Sequence, residues 1–303
     1  METFVIVGAG ATGAAVARVG LERGAEVIMV TRSGSTAGLA GVRPVAGDAT
    51  NAEFLSGVAK GATVLFNCAN PAYHRWLTDW PPLAASLLDV ARESEAVLAT
   101  LSNLYAYGAP SGPMRPTDLL NSTLPKAQVR AKMWSEALAA HERGEIRATE
   151  VRASDFIGSG SQSLFEQSKP ALLKGKTVSV IGNPDMVHSW TFTGDVGRTL
   201  VAAATNEQGH GKPWHAVTNP PKSTREVLVE LAKVADVPAP KLRIIPTLAL
   251  KAVGLFSPMM RELPKTLYQF QMPYVIDDEA TRETFGLKPT PWKEVLADVV
   301  NGR

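Results

Sequence analysis

The sequence has little cysteine, little net charge and no long hydrophobic run. Cys68 is the only cysteine among 303 residues, so no disulfide forms within the chain, and no Cys-x-x-Cys or His/Cys cluster indicates a metal site. Lysine and arginine (31) nearly balance aspartate and glutamate (29), which leaves no basic stripe for nucleic acid. No apolar stretch reaches the roughly 18 residues that span a bilayer, and we see no secretory signal. We therefore expect a cytoplasmic protein with no metal, no nucleic-acid partner and no membrane anchor.

The most informative feature that is present is a glycine-rich turn near the start of the chain. It joins an apolar run of strand length, residues 4–7, to an alanine-rich helical pattern. In a G-x-G-x-x-G turn of this kind, the first glycine allows a tight turn and the second lets the backbone approach a pyrophosphate. The third glycine lets the helix pack close to the strand, and the free N–H groups of the helix start bind phosphate. We assign phosphate binding to Gly8, Gly10, Ala11, Thr12 and Gly13.

Strand-length apolar runs alternate with helical patterns through the first half of the chain. This rhythm is typical of βαβ units and of a parallel sheet with helices on both faces. Strands are predicted at 27–30, 42–46, 62–66, 96–101 and 149–152, and helices at 14–23, 52–59, 83–95 and 126–143. We predict an α/β fold with a Rossmann-like doubly wound parallel sheet over residues 1–157, with returns near 188–217. A smaller α+β substrate-binding lobe is predicted over 158–303. The apolar stretch 248–260 is predicted to belong to its core, or alternatively to form a pocket lid or a subunit contact.

The residues after the second strand indicate NADP(H). At this place an acidic residue binds the ribose 2′-OH of NAD, whereas arginine accommodates the 2′-phosphate of NADP. Here Thr31, Arg32 and Ser33 follow the strand and offer a guanidinium fork, two hydroxyls and no carboxylate. An ordinary polar loop is the alternative. We predict NADP(H) as the cofactor.

Two further segments follow predicted strands on the same side of the sheet. Asp48, followed by Ala49, is a candidate acceptor for the adenine amino group, or alternatively the N-cap of the next helix. Asn67, Cys68 and Ala69 put small and amide side chains where a dinucleotide would run. We interpret Cys68 as a buried filler and not as a nucleophile, because the sequence pairs no base with it.

Together with the glycine turn, segments 101–108, 151–158, 188–196 and 285–296 resemble the extended short-chain dehydrogenase/reductase superfamily, in its NAD(P)-dependent epimerase/dehydratase-like branch. The resemblance runs over nearly the whole chain. It implies a nicotinamide cofactor and a small-molecule substrate held by the second lobe. It also implies a homodimer formed through helices that flank the sheet.

The catalytic signature departs from the one that this resemblance implies. The family carries Tyr-x-x-x-Lys on the helix after the fifth strand, where the tyrosine moves a proton and the lysine lowers its pKa and holds the nicotinamide ribose. We match this motif to residues 128–132, with Gln128 at the tyrosine position and Lys132 retained. Asn103 stands in place of the usual Ser/Thr, with Ser102 before it. We expect Asn103 to donate to a developing oxyanion.

Without the tyrosine, another group must supply the proton. We predict Tyr105, with Tyr107 as the alternative and Lys132 nearby to depress the phenol pKa; both aromatics are otherwise packing residues. His74 is a candidate acid or a solvent-exposed loop residue. His188 occupies the place where nucleotide-sugar relatives carry a diphosphate-binding arginine. The predicted substrate-binding residues are Tyr73, His74, Tyr107, Phe156 and His188.

We predict an NADP(H)-dependent oxidoreductase of an atypical extended type, which reduces a carbonyl or conjugated double bond of a small metabolite. One alternative is a nucleotide-sugar epimerase or dehydratase, which keeps a tightly bound oxidised cofactor. The other is a non-catalytic NADP(H)-binding sensor module, which a glutamine in place of the catalytic tyrosine would suit.

Overall fold

The computed structural model describes residues 1–254 and 261–302. The strands in these residues are β1 (Thr3–Val7), β2 (Glu26–Thr31), β3 (Val42–Ala46), β4 (Val64–Asn67), β5 (Val97–Asn103), β6 (Arg147–Ala153), β7 (Phe156–Ile157), β8 (Val178–Val180), β9 (Val187–His188), β10 (Thr191–Phe192), β11 (Pro213–His215), β12 (Lys222–Ser223) and β13 (Leu242–Ile244).

The α-helices in the same residues are α1 (Ala11–Glu22), α2 (Ala52–Ala59), α3 (Trp76–Ser94), α4 (Pro125–Glu142), α5 (Leu164–Leu173), α6 (Thr193–Thr205), α7 (Thr224–Val234), α8 (Thr247–Gly254), α9 (Leu263–Thr266), α10 (Glu279–Phe285) and α11 (Trp292–Asn301). Short 3₁₀ helices cover Tyr73–Arg75, Tyr105–Tyr107, Glu207–Gly209 and Leu267–Phe270. Among the helices described here, none is long and apolar enough to cross a membrane.

The main sheet is parallel throughout and has the order β11-β6-β5-β4-β1-β2-β3 within the described residues. The chain leaves β1 in one direction, towards β2 and β3, and then returns to the other side of β1 to add β4, β5 and β6. The order therefore reverses between β1 and β4. In sheets of this kind the crevice outside the carboxyl ends of the strands at the reversal is where ligands bind.

Both faces of this sheet are covered, so its central strands read as continuous apolar runs. Side chains alternate across β1: Phe4 and Ile6 join the core under α1 and α6, whereas Val5 and Val7 join the core under α2, α3 and α4. All four are at most 4% exposed. The predicted Rossmann-like α/β fold is confirmed.

The second half of the chain divides between the main sheet and a separate core. β11 pairs with β6, and α6 packs on α1, where the site of a Cβ on Gly197 lies 2.7 Å from the Ala15 carbonyl carbon. The other core lies between α5, α7 and α11 and includes Phe165, Leu228 and Leu296.

One predicted helix and one predicted core segment differ from the structure. α3 starts at Trp76 and not at residue 83, because the Trp76 and Trp80 rings are buried in the same core as the rest of the helix. The apolar stretch predicted at 248–260 lies partly outside the described residues. Inside them, Leu250 is buried but Leu248 is 78% exposed, so Leu248 does not belong to the core.

Candidate active site

The three glycines of the turn have different environments. Gly8 has φ +106°, and a Cβ there would lie 2.7 Å from the Cys68 carbonyl oxygen. A Cβ on Gly13 would lie 2.0 Å from the Gly8 carbonyl oxygen, so α1 packs against the turn only with glycine at this position. Gly10 has an ordinary φ of −72°, and apart from its chain neighbours no atom of the described residues lies within 4 Å of the place its Cβ would take. Internal packing explains Gly8 and Gly13 but not Gly10.

The start of α1 faces the same open space. Gly10 is the N-cap, and the Ala14 N–H makes the first helical hydrogen bond, 2.9 Å to the Gly10 carbonyl oxygen. The three preceding N–H groups have no place in the helical ladder, and the first turn carries no acidic side chain. A helix start of this kind attracts an anion. The residues present therefore fit a dinucleotide pyrophosphate.

Arg32 lies exposed just beyond β2, at the rim of this edge. Asp48 accepts a hydrogen bond from the Thr50 N–H at 3.0 Å, which, with a smaller contribution from the nearby Arg32 charge, lowers the Asp48 pKa. The N-cap of α2 is Asn51 and not Asp48, so the capping role considered for Asp48 is wrong. The Thr31 hydroxyl donates to the Ser35 carbonyl at 3.3 Å.

The end of β4 and the residues that follow it lie against the glycine turn. Asn67 is buried; its Oδ1 accepts from the Ala69 N–H at 3.3 Å, and its Nδ2 has no hydrogen-bond partner among the described residues. Cys68 is 4% exposed, and burial raises the pKa of its thiol to about 12. The thiol therefore stays neutral and fills space beside Gly8.

The register of α4 differs from the predicted one. Lys132 projects into solvent with its side chain 74% exposed, and its Nζ lies 3.5 Å from Glu136 one turn further on. Gln128 is on the same exposed face. Neither side chain faces the sheet edge, so the assignments of Gln128 to the tyrosine position and of Lys132 to ribose binding are corrected. The reason is helical periodicity, because α4 turns its other side to the core.

That buried side presents Lys126, two residues before Gln128. Its Nζ lies 3.0 Å from Glu262 Oε2 and 3.8 Å from the centre of the Tyr73 ring. The side chains of Lys126 and Glu262 are only 10% and 15% exposed. Burial lowers the pKa of the Lys126 ammonium, opposed by the Glu262 carboxylate. These side chains and Tyr105 line a pocket of about 110 Å³.

Arg130 follows Lys126 by one helical turn and is also buried. Its Nη2 donates to the Leu101 carbonyl in β5, and its guanidinium carbon lies 4.3 Å from the centre of the Trp80 ring. Burial lowers its pKa to about 10. Lys126 and Arg130 therefore occupy the core-facing positions of α4 with the spacing of the expected Tyr-x-x-x-Lys pair. Arg130 ties the helix to the sheet.

Tyr105 lines the pocket together with Tyr73, and its ring centre lies 6.2 Å from that of Tyr73 and 6.0 Å from that of the buried Trp76. Burial, followed by the negative charge of Asp155, raises the pKa of its phenol well above the ordinary value. The predicted depression of this pKa by Lys132 is wrong, since that amine lies on the outer face of α4. The neighbouring Asn103 accepts the Tyr105 N–H at 3.0 Å through Oδ1.

Tyr107 belongs to a buried polar network and not to the pocket. Arg152 Nη1 donates to its hydroxyl at 2.7 Å, and the hydroxyl lies 2.9 Å from His215 Nε2. Arg152 is paired at 2.6 Å with Glu150, both side chains being 2% exposed. Burial raises the Tyr107 pKa to about 12 and lowers the His215 pKa to about 4. The predicted substrate contact of Tyr107 is corrected to a structural role.

His188 is also enclosed. Its ring stacks on Trp190 and Phe270, with ring centres 4.1 and 5.2 Å away. Nδ1 donates to the Gln269 carbonyl at 3.1 Å, and Nε2 lies 2.9 Å from Asp155 Oδ2. The side chain is 2% exposed, so the predicted contact of His188 with a substrate is corrected. Asp155 is the solvent-exposed member of this pair, with 31% of its side chain exposed.

The structure separates the other predicted residues by position. Tyr73 and His74 line the pocket, and the Tyr73 hydroxyl hydrogen-bonds to the Thr266 side chain. Phe156 packs against the main core in β7 and lines no part of this pocket. Ser102 is buried within β5. Sequence reasoning missed Lys126 and Glu262, and the described residues hold no His, Cys, Asp and Glu cluster suited to a metal.

The parallel sheet with its strand reversal, and the glycine turn at that reversal, define a Rossmann-like protein of the nucleotide-binding class. The model of the NAD dependent epimerase/dehydratase family matches residues 4–216. The chain belongs to this family, which confirms the resemblance noted in the sequence.

Solved structures of similar fold cover 99% of the chain at low identity. They include the Bordetella bronchiseptica enzyme WbmH in complex with NAD⁺ (17% identity, TM-score 0.77, 97% of that chain). Another is UDP-glucuronic acid 4-epimerase from Bacillus cereus with NAD (14%, 0.79, 98%). A third is dTDP-glucose 4,6-dehydratase from Bacillus anthracis with NAD (17%, 0.79, 96%). A search of curated proteins found no match.

Proposed function

We propose that this protein binds a nicotinamide dinucleotide and uses it for hydride transfer at a hydroxyl-bearing or carbonyl carbon, in the manner of a sugar-nucleotide epimerase or dehydratase. The family membership and the named activities of the similar structures favour this function over the reduction of a general carbonyl compound. It was the alternative drawn from the sequence.

The observation that carries the proposal is the space in front of Gly10. A glycine that no internal contact requires, at the N-cap of α1 and at the strand reversal, is explained by the close approach of a pyrophosphate. The N–H groups of Ala11 and Thr12 at the start of α1 would hold that pyrophosphate. The bound nicotinamide would supply the hydride acceptor or donor.

We further propose that the dinucleotide is NADP(H), although the similar structures contain NAD. Arg32 is an exposed cation at the end of β2, and no carboxylate lies within ion-pairing distance of it in the described residues. Arg32→Ala should weaken NADPH binding about 10- to 150-fold, since a charge-assisted hydrogen bond contributes about 1.5–3 kcal/mol. NADH binding should be unchanged.

Fluorescence titration of both cofactors measures this effect. The matched control is Arg43→Ala, which removes an exposed arginine of the neighbouring strand that pairs with Glu26 at 3.5 Å. Equal losses of NADPH and NADH affinity in Arg32→Ala would show that Arg32 does not read the 2′-phosphate.

A second candidate is the NADPH-dependent reduction of a small carbonyl compound. It is favoured by the pocket volume of about 110 Å³, which is small beside the roughly 300–1,000 Å³ of typical ligand pockets. It is also favoured by His188, which is enclosed where a diphosphate-binding arginine would be needed.

The two candidate functions predict a different bound cofactor and different substrates for the purified protein. An epimerase or dehydratase should release oxidised dinucleotide on denaturation, read by its absorbance, and should convert UDP-glucose, UDP-glucuronic acid or dTDP-glucose. A reductase should purify without bound cofactor and should oxidise NADPH when a simple aldehyde such as 4-nitrobenzaldehyde is added. Binding of NADPH with no turnover of either kind would favour the non-catalytic sensor and refute the proposed function.

A further inference from the structure

We propose that Lys126 is the acid–base residue of this protein: its side-chain amine, held by Glu262, exchanges the proton with the substrate oxygen in place of the family's tyrosine. This inference rests on the proposed hydride-transfer function and names the group that completes it.

The position of Lys126 is the first argument. It follows Pro125, where α4 begins; because α4 connects the parallel strands β5 and β6, its first residues lie at the carboxyl edge of the sheet. Tyr73, which follows β4, packs beneath its ammonium at 3.8 Å. These residues come after β4 and β5; β4 pairs with β1, which leads into the glycine turn, and β5 is the next strand beyond β4. Lys126 is therefore on the side of the crevice that the dinucleotide occupies.

The chemistry of the other pocket groups is the second argument. The phenols of Tyr73 and Tyr105 have pKa values raised by burial, so neither gives up its proton readily near neutral pH. The Lys126 pKa moves in the opposite direction, towards neutrality, because burial disfavours the ammonium. Proton transfer is most efficient when the pKa of the group lies near the working pH.

Two charged groups, the N-cap residue Glu262 and Lys265 of α9, influence the pKa of this amine. Glu262 faces Lys126 at 3.0 Å and favours the ammonium, and Lys265 on the next turn lies 3.1 Å from Glu262 and disfavours it. His74 lines the same pocket. The carboxylate therefore favours the ammonium form of Lys126 and orients it, while burial and Lys265 favour the neutral amine.

The step balances in both directions. In reduction, the carbonyl carbon gains a hydride from the reduced dinucleotide, the C=O π bond breaks, and the oxygen takes a proton from the Lys126 ammonium. Lys126 is left as a neutral amine and regains a proton from water. In oxidation, the neutral amine takes the hydroxyl proton as the hydride leaves the carbon for the oxidised dinucleotide.

Amine reactivity tests the proposal without turnover. Trace acetic anhydride labels neutral amines, so peptide mass spectrometry across pH gives the titration of Lys126 beside exposed Lys60 as an internal standard. We expect Lys126 to titrate below Lys60, and Glu262→Gln to shift it lower still, because the carboxylate that favours the ammonium is lost. Lys126 titrating with Lys60 in both proteins would overturn the proposal.

Dinucleotide protection locates the amine. NADPH should suppress labelling of Lys126 and leave Lys60 unchanged, whereas adenosine 2′,5′-bisphosphate, which lacks the nicotinamide half, should leave both unchanged. If NADPH binds without protecting Lys126, or both compounds protect it equally, the proposal is overturned and the proposed function stands. If NADPH and NADH do not bind at all, the proposed function itself is refuted, and this inference with it.

Kinetics separate a proton-transfer role from a structural one. With whichever of the test substrates named above the wild type converts, Lys126→Met should lower kcat about 10²–10⁴-fold while NADPH affinity is retained. Lys126→Arg should not restore kcat, because a guanidinium keeps the charge but does not release its proton. Lys132→Met should have no such effect; a loss confined to Lys132→Met would favour the register first read from the sequence and contradict the proposal.

Discussion

Replacing Gly10 by alanine should impair dinucleotide binding while leaving the fold intact. Beyond its chain neighbours the new methyl group would meet no atom of the described part of the chain within 4 Å, and φ −72° with ψ 179° is ordinary for alanine. Alanine is a slightly poorer N-cap than glycine, but it lowers the entropy of the unfolded chain. The free energy of unfolding should therefore stay within about 1 kcal/mol of wild type.

The same methyl group would stand where the pyrophosphate approaches the helix start. Loss of one charge-assisted hydrogen bond to phosphate costs about 1.5–3 kcal/mol, so Kd should rise about 10- to 150-fold. NADPH and NADH should be affected alike, because the pyrophosphate is common to both. This pattern differs from the one expected for Arg32→Ala.

Gly13→Ala is the matched comparison, three residues along the same turn. Its methyl carbon would lie 2.0 Å from the Gly8 carbonyl oxygen, so α1 must move, at a cost of about 1–3 kcal/mol or more. Urea unfolding gives the stabilities and fluorescence titration the affinities. If Gly10→Ala binds NADPH within twofold of wild type, the open space does not receive the pyrophosphate and our interpretation of the turn is wrong.

Two predictions concern the buried network around Tyr107. Arg152→Met should lower the free energy of unfolding by about 3–5 kcal/mol, measured with urea, because the Glu150 carboxylate is left buried and unpaired. Arg225→Met breaks only an exposed ion pair and should cost under about 1 kcal/mol. Similar losses in the two variants would contradict a stabilising role for the buried network. His215 has its pKa lowered by burial from 6.5 to about 4, so the unfolded chain binds more protons between these values and stability falls as the pH drops through them. Protonation of His215 in the unfolded chain should lower the free energy of unfolding by about 2 kcal/mol between pH 7 and pH 5. If His215→Gln shows the same dependence of stability on pH as the wild type, this prediction is refuted.

The sheet and the glycine turn could be predicted because their signals are local. Alternating apolar runs fix a parallel sheet, and the strand–glycine–helix sequence places the turn at its edge. The tight turn at Gly8, the open space at Gly10 and the close packing at Gly13 agree with the sequence prediction. The contact of Gly8 with Cys68 could not be predicted, since it joins segments 60 residues apart in the chain.

The predicted register of α4 was wrong for a different reason. Lys126 and Arg130 have the same four-residue spacing as Gln128 and Lys132, so spacing alone does not choose between the pairs. A signal was available: Ala127, Trp134, Ala137 and Ala140 mark one apolar side of the helix, and it is the side that buries Arg130. Applying this periodicity would have rejected Lys132.

The roles of Tyr107 and His188 depend on contacts that no local pattern contains. Tyr107 hydrogen-bonds to His215, which is 108 residues further along the sequence, and His188 hydrogen-bonds to the Gln269 carbonyl, which is 81 residues further along. Both residues looked like substrate contacts because they are polar aromatic groups in segments that resemble the family's site. Long-range packing instead buries them.

Binding of NADPH and NADH to the wild-type protein is the most direct test of the central claim, that the turn at Gly10 holds a nicotinamide dinucleotide. Fluorescence titration of the purified protein, freed of any retained cofactor, measures both affinities under the same conditions. We expect micromolar or tighter binding of NADPH and much weaker binding of NADH. Failure to bind either compound would contradict the claim, and the glycine turn would then serve only the packing of α1 against β1.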